Sequence, residues 1–225
     1  MNNQEVKHIA IILDGNRRYA KLKNQETYKG HEAGAERLED FLKWADELKI
    51  KEITAYILST ENLNREKKEL DFLFSIFKRW FKKFDKEAEK NKIKINFAGN
   101  LELVPKDVKE LALRIQRKTS EYKNKTINFC FAYGGKQELI NAFNNLTKKG
   151  RKNIEEKDIQ EELWIKNEPD IVIRTGDAIR TSNFLPWQTA YSEWFFLKKM
   201  WPEFEKQDLV NILKEFKLRK RNFGK

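Results

Sequence analysis

The sequence predicts a single α/β domain built on a mostly parallel six-stranded sheet that is covered by helices. Six apolar runs occur along the chain, and most are continuous rather than alternating, which is typical of strands buried on both faces. Amphipathic segments separate these runs, so that strand and helix alternate. The 225 residues suit one large domain, and a content of 40% hydrophobic residues is enough for a substantial core.

The predicted elements follow one another with short connections. The strand candidates are HIAIIL (8–13), EITAYIL (52–58), IKINFAG (93–99), TINFCFAY (126–133), DIVIR (170–174) and EWFFL (193–197). Apolar residues at helical spacing predict helices over 32–49, from about 67 to 90, from Pro105 to about 121, and over 137–148. The domain spans 1–225, and its basic end, 216–225, is expected to be a frayed, solvated tail.

Composition limits the classes of partner. The chain has 46 Lys and Arg against 35 Asp and Glu, and a net charge of +11 favours nucleic acid, a membrane surface or phosphorylated small molecules. The single cysteine, Cys130, excludes a disulfide framework and a cysteine-based zinc site, and it is interpreted as a buried thiol. The first ten residues contain no apolar h-region, so we expect no secretory signal, and no run approaches the roughly 20 apolar residues that span a bilayer. The expectation is a cytoplasmic protein with at most peripheral membrane contact.

Polar residues gather directly after the predicted strands. The clusters are DGNRR (14–18), STENLNR (59–65), GGK (134–136), RTGD (174–177) and RTSN (180–183). In doubly wound sheets ligands bind beyond the carboxyl ends of the strands. The regular placement of these clusters therefore predicts one site at that edge.

The first cluster has the composition of a phosphate cradle. Gly15 permits a tight turn and close approach of the backbone, and amides at the following helix start can face an anion. Arg17 and Arg18 supply guanidinium donors suited to phosphate oxygens. Asp14 fits beside a phosphate if Mg²⁺ lies between the two anions. The alternative, in which Asp14 is a helix cap and the arginines are surface charge, is equally well supported by this cluster alone.

The cluster after the fifth strand favours the phosphate interpretation. Arg174 and Arg180 share a short loop with Ser182, and such donors can surround a diphosphate. The structural alternative is that either arginine pairs with Asp170 or Asp177. Discrete loops of donors favour a diphosphate over nucleic acid, which is more often bound by a basic stripe with exposed aromatic residues.

One histidine and one aromatic helix complete the candidates. His31 opens a predicted helix soon after the first cluster and is assigned to function, whereas His8 is interpreted as structural. Residues 70–84 place many apolar side chains on one broad helical face, which is a thick core or dimer face by default and the wall of a long apolar cavity in the functional interpretation. Motifs of metalloproteases, serine hydrolases, P-loop proteins and Rossmann proteins are absent from the sequence.

Taken in order, DGNRR, GHEAG, STENLNR, AYGGK and IRTGDAIRTSNFLPWQTAYSE resemble the cis-prenyltransferase family, and within it the bacterial undecaprenyl diphosphate synthases (isoprenyl transferases). The resemblance runs from residue 8 to about 202. It implies a Mg²⁺-dependent homodimer with a hydrophobic tunnel. It also implies that farnesyl diphosphate condenses with successive isopentenyl diphosphates to give undecaprenyl diphosphate, the carrier-lipid precursor for peptidoglycan and surface polysaccharides.

The resemblance also assigns roles to individual residues. Asp14 and Asn62 match catalytic positions, and Asn62 is the residue that assists proton removal. Asp14 and Glu193 match the carboxylates that bind the metal. The resemblance implies that Glu193 reaches the site across the dimer interface. Substrate-binding positions are matched by Gly15, Asn16, Arg17, Arg18, Tyr19, His31, Ser59, Thr60, Glu61, Leu63, Arg65, Arg174, Arg180, Thr181 and Ser182.

Some positions depart from the family pattern. Thr27 stands where a substrate-binding arginine is frequent, and Lys23 or Lys29 would have to compensate. Tyr19 and Leu63 each replace a usual tryptophan. Two alternatives to an enzyme follow: a non-catalytic scaffold subunit, which should have lost several charged site residues that this chain keeps, and a nucleic-acid binder, which only the net charge suggests.

Overall fold

A computed structural model describes residues 5–219 of the chain, and its six strands form one sheet in which all neighbours are parallel. The strands are β1 (His8–Ile12), β2 (Glu52–Ser59), β3 (Ile93–Ala98), β4 (Lys125–Tyr133), β5 (Ile171–Arg174) and β6 (Glu193–Phe196). Their order across the sheet is β3-β4-β2-β1-β5-β6. The predicted fold class and all six strand predictions are confirmed.

Seven α-helices connect and cover the strands within the described residues. They are α1 (Asn16–Leu22), α2 (Thr27–Glu47), α3 (Lys67–Asn91), α4 (Lys106–Thr119), α5 (Gly135–Lys148), α6 (Glu156–Glu162) and α7 (Lys206–Leu218). Single 3-10 turns follow β2, β3 and β6 at Glu61–Asn64, Leu101–Leu103 and Trp201–Glu203. The sequence predicts α2 to α5 and the start of α1, whereas α6 and α7 are missed.

The beginning of α2 is earlier than predicted. The helix starts at Thr27, so His31 lies inside it and does not open it. Gly30 and Gly34 weaken the helical pattern in the sequence, but the structure explains both. A Cβ atom on Gly30 would collide with the carbonyl oxygen of Asn16, and one on Gly34 would collide with the Asn16 side chain, so the two glycines let α1 pack directly against α2.

The prediction of a frayed tail over 216–225 is wrong for residues 216–218, which belong to α7. Phe216 is only 1% exposed and belongs to the core, and α7 continues to Leu218. Leu209, Ile212 and Phe216 recur at helical spacing and bury one face of α7, which is why the helix forms there. The rest of the predicted tail, 220–225, lies outside the described residues.

The core lies on both faces of the central strands. Every residue of β1 and β5 is buried, as expected for strands covered by helices on each side. Cys130 is buried in β4, as predicted. Across residues 5–219, no helix combines the length and the apolar character that crossing a bilayer requires.

Candidate active site

A cavity of about 1250 Å³ opens at the carboxyl ends of the strands. Its wall brings together most of the predicted site residues, which are Asp14, Gly15, Asn16, Arg17, Arg18, His31, Ser59, Glu61, Asn62, Arg65, Arg174 and Ser182. The parallel strands β1, β2 and β5 place these segments side by side, as the clusters in the sequence predict.

Asp14 lies just after β1 and is held by two arginines. Its Oδ2 accepts a hydrogen bond from Arg174 Nη2 at 2.8 Å, and its Oδ1 accepts one from Arg18 Nη2 at 3.0 Å. The side chain is 28% exposed, so the carboxylate still faces the cavity. Two guanidiniums around one carboxylate leave a surplus of positive charge at this end of the cavity, which favours an anionic substrate group.

Arg174 ends β5 and has only 4% of its side chain exposed. Its Nη1 donates to the carbonyl oxygen of Arg180 at 2.6 Å and to Ser182 Oγ at 2.7 Å. Arg174 therefore pairs with Asp14. The alternative prediction, in which it pairs with Asp170 or Asp177, is wrong. Since three acceptors fix the fork of Arg174, the loop after β5 is tied to the end of β1.

The turn that presents Asp14 depends on Gly15. This residue has φ +112° and caps α1, so the alternative in which Asp14 is the helix cap is wrong. A Cβ atom on Gly15 would lie 2.8 Å from Met200 Sδ, too close for a real contact. The backbone amide of Trp201 donates to the carbonyl oxygen of Asp14 at 3.0 Å and holds the turn from the other side. Close approach of two backbones therefore requires glycine here.

Glu69 is a site residue that the sequence analysis missed. It lies in α3, and its Oε1 is 3.1 Å from His31 Nε2, 3.1 Å from Arg65 Nη1 and 3.8 Å from Arg17 Nε. Three predicted substrate-binding side chains thus converge on one carboxylate oxygen. The signal in the sequence is weak, because Glu69 stands in an ordinary i, i+4 relation to Arg65.

Burial lowers the pKa of His31 below its ordinary value, although the hydrogen bond to Glu69 works in the opposite direction. His31 is therefore neutral near pH 7 and donates from Nε2 to the carboxylate. In that state it contributes a hydrogen-bonding group and no charge to the cavity.

The 3-10 turn after β2 carries Asn62. Its Oδ1 accepts from the amide of Ser59 at 3.2 Å, and Ser59 Oγ accepts from the amide of Asn62 at 3.1 Å. These reciprocal bonds fix the Asn62 side chain at the cavity wall.

The other part of the cavity is apolar. Its wall is formed by Leu38, Leu58, Leu73, Ile76, Phe77 and Trp80. From Leu73 to Trp80 the wall follows α3 for about 10 Å at the helical rise per residue. The aromatic face of α3 is both part of the core and a wall of the cavity. Phe81 and Phe84 pack on Phe129 of the sheet. Phe77 and Trp80 line the cavity.

Several predicted residues do not line the cavity. Arg180 and Thr181 are exposed on the loop after β5, where Arg180 contributes its carbonyl oxygen to Arg174. Leu63 packs against the core, and Tyr19 is partly exposed with Lys23 Nζ 5.9 Å from its ring centroid. The amide of Thr60 donates to the Tyr133 carbonyl oxygen at 2.9 Å.

Glu193 lies at the opposite end of the sheet from Asp14. It pairs in register with Ile171, which pairs with Ile9, whereas Asp14 follows the other end of β1. The register therefore places the two residues at opposite ends of the neighbouring strands. Glu193 Oε2 accepts from Arg219 Nη1 at 2.7 Å. Within one chain the two predicted metal ligands do not meet.

The donor set at the end of the cavity that carries Asp14, Arg18 and Arg174 fits a shared Mg²⁺ only in part. Mg²⁺ commonly binds through one or two carboxylates together with substrate phosphate oxygens, and Asp14 offers one such carboxylate. Among residues 5–219, no group of three or more His, Cys, Asp or Glu side chains is arranged to hold a metal. A cation here would need substrate oxygens as further ligands.

The sequence matches a family model described as putative undecaprenyl diphosphate synthase over residues 12–224. It is 42% identical to a tritrans,polycis-undecaprenyl-diphosphate synthase (geranylgeranyl-diphosphate specific) from Pyrococcus furiosus. The alignment covers 97% of this chain and 87% of that one. It is 37% identical to an isoprenyl transferase from Thermotoga maritima, with 96% of each chain covered.

Two solved structures have the same fold. Lavandulyl diphosphate synthase from Lavandula x intermedia, crystallised with dimethylallyl diphosphate, superposes with a TM-score of 0.92 at 28% identity, covering 98% of each chain. A probable undecaprenyl diphosphate synthase from Campylobacter jejuni superposes with a TM-score of 0.85 at 29% identity, covering 99% of this chain and 100% of that one.

Proposed function

The chain belongs to the undecaprenyl diphosphate synthase family of cis-prenyltransferases, and we propose that it condenses an allylic prenyl diphosphate with successive isopentenyl diphosphates. The observation that carries this proposal is the two-part cavity. One end presents Asp14, Arg18 and Arg174, and the other is a continuous apolar wall along α3. Such a cavity suits a ligand with a diphosphate head and a growing hydrocarbon chain.

The proposed reaction begins when the allylic C1–O bond breaks and its electron pair leaves with the diphosphate. Arg18 stabilises the negative charge that develops on that leaving group. The double bond of isopentenyl diphosphate then attacks the allylic cation through C4, and a proton leaves C2 to form the new double bond. Asn62 assists that proton transfer, with a diphosphate oxygen as the acceptor. Mg²⁺, when bound at Asp14 with the substrate, would neutralise part of the diphosphate charge.

The chain positions the second substrate through the loop after β5. Arg174 and Ser182 bind the diphosphate of isopentenyl diphosphate, and Arg180 approaches it from the exposed side of the loop. Holding both substrates in reacting geometry supplies much of the acceleration. The growing chain enters the apolar arm, where each buried CH₂ contributes about 0.8 kcal/mol.

We propose farnesyl diphosphate as the primer and undecaprenyl diphosphate as the product. A second candidate primer is geranylgeranyl diphosphate, because the archaeal relatives are named as specific for it. The wild-type enzyme with radiolabelled isopentenyl diphosphate and Mg²⁺ is expected to elongate farnesyl diphosphate, and chromatography of the products gives the chain length. Elongation of geranylgeranyl diphosphate alone would replace the first candidate with the second. Failure with both primers would contradict the proposed function.

Two implied properties stay predictions. A homodimer is the arrangement in which Glu193 of another copy could reach Asp14, since the two do not meet within one chain.

Peripheral contact with a membrane is supported by residues 17–29 at the cavity mouth, which we call the α1–α2 lip. The lip carries five basic residues and one acidic residue. Leu22, at the end of α1, is 70% exposed there, a combination suited to an anionic lipid surface.

Leu22→Gln is expected to weaken binding to anionic vesicles by about tenfold, because an exposed apolar side chain no longer enters the interface. The matched control is Leu218→Gln. Leu218 also ends a helix, is 84% exposed and has basic neighbours, but it lies at the end of α7. Co-sedimentation with vesicles of phosphatidylserine and phosphatidylcholine measures both. Equal losses in the two variants, or no binding by the wild type, would contradict the lip as the contact surface.

A further inference from the structure

Asn183 occupies a strained turn between the two sides of the cavity. Ser182, Asn183 and Leu185 have φ values of +49°, +61° and +48°, in the left-handed region that non-glycine residues seldom adopt. Asparagine tolerates this conformation better than most residues because its short side chain can form local hydrogen bonds. The surrounding contacts must therefore hold the loop in place.

Those contacts join the ends of three strands. Asn183 Oδ1 accepts from the amide of Lys136 at 2.8 Å, and the Asn183 carbonyl oxygen accepts from the amide of Gly135 at 2.8 Å. Asn183 Nδ2 donates to Glu61 Oε1 at 3.3 Å. Lys136 follows β4 and Glu61 follows β2, while Asn183 itself belongs to the loop after β5.

The hydrogen bond between Asn183 and Glu61, called the bridge below, lies beside the residues that the proposed reaction uses. Ser182, the residue before Asn183, accepts from Arg174, and Asn62, the residue after Glu61, lies on the cavity wall. The Glu61–Asn183 bond thus connects the group that holds isopentenyl diphosphate with the group that assists proton removal. A shift of the bridge would change the distance between them.

We propose that Asn183 is a positioning residue that sets the isopentenyl diphosphate loop against the Asn62 turn through its bond to Glu61. This inference rests on the proposed function, because it assigns a role within the same condensation. Hydrogen bonds, one of them from Asn183, outweigh burial and lower the pKa of Glu61, so Glu61 is ionised near pH 7. The bridge is therefore a charge-assisted bond between an amide donor and a carboxylate.

Reversing the donor and the acceptor tests the bond. Asn183→Asp keeps an acceptor for the Lys136 amide but places a second carboxylate against Glu61, and kcat/KM for isopentenyl diphosphate is expected to fall at least about tenfold. Glu61→Gln alone retains an acceptor for Asn183 Nδ2 and is expected to lose about threefold at most. In the double variant the new side-chain amide at position 61 can donate to the new carboxylate at position 183. Its kcat/KM is therefore expected to return close to the value of the Glu61→Gln enzyme.

The matched control is Asn167→Asp, since Asn167 Nδ2 donates to Glu52 Oε2 at 2.6 Å near the amino ends of the strands, away from this cavity. It is expected to lower the melting temperature without changing KM for isopentenyl diphosphate. A double variant no more active than Asn183→Asp, or an Asn183→Asp enzyme with wild-type kcat/KM, would overturn the positioning role. Absence of prenyl transfer in the wild type would instead refute the proposed function.

Discussion

Asp14→Asn is expected to lower the rate of prenyl transfer about a thousandfold, the equivalent of ~4 kcal/mol in the activation free energy. The replacement is nearly isosteric, so the shape of the turn at Gly15 should persist. The charge is lost, however, and the new amide can accept from Arg18 or Arg174 but cannot satisfy both. Arg174, buried and left without a full counter-charge, would reorient, and the carboxylate that could share Mg²⁺ with the substrate would be gone.

Single-turnover assays with a labelled allylic diphosphate measure this loss at the chemical step. The control is Asp177→Asn, an exposed acid on the loop after β5, which should keep wild-type turnover. A melting temperature close to that of the wild type would show that the loss is not due to unfolding. Asp14→Asn turnover within tenfold of the wild type would refute the role assigned to this carboxylate.

The strands and the charged end of the cavity, around Asp14, Arg18 and Arg174, could be predicted because local sequence determines them. A run such as residues 8–13 is buried on both faces, so continuous apolar character identifies it. The clusters at 14–18 and 174–177 follow strands directly, and parallel strands bring such ends together. The prediction of a site at this edge depends on no detail of packing.

Contacts between distant elements could not be predicted in the same way. Glu69 joins α3 to α1 and α2, and Asn183 joins the loops after three strands, yet neither stands in a distinctive local pattern. The position of Glu193 also depends on register, because pairing with Ile171 places it at the amino end of β5. α7 is not predicted although Leu209, Ile212 and Phe216 are helically spaced, and only its last residues, from 216, fall in the segment predicted as a basic tail.

Arg174→Met is expected to raise KM for isopentenyl diphosphate about a hundredfold, because the main guanidinium at that subsite is removed while most of the side-chain volume is kept. Three hydrogen bonds are lost, to Asp14, Ser182 and the Arg180 carbonyl oxygen. Asp14 keeps its bond to Arg18 and is partly solvated, so it is not left as a buried unpaired charge. Stability should therefore fall by about 3 kcal/mol, at about 1 kcal/mol for each hydrogen bond lost.

Initial rates against each substrate separate this effect from that of Asp14. KM for isopentenyl diphosphate should rise in Arg174→Met far more than KM for the allylic diphosphate. Arg114→Met is the control, because Arg114 also pairs with an aspartate, Asp85, but lies on the exposed side of α4. Equal increases in both KM values would place Arg174 at a shared site and contradict the assignment of two diphosphate subsites.

Arg174→Lys sharpens the argument about geometry. A lysine keeps the positive charge but has no planar fork, so it cannot bind Asp14, Ser182 and the Arg180 carbonyl oxygen at the distances that the guanidinium spans. If charge alone binds the diphosphate, Arg174→Lys should retain most of the affinity and most of kcat. If the fork also fixes the loop after β5, Arg174→Lys should recover affinity while kcat stays low, because isopentenyl diphosphate binds but is not aligned with the allylic carbon. We expect the second result, since the same guanidinium ties that loop to the end of β1.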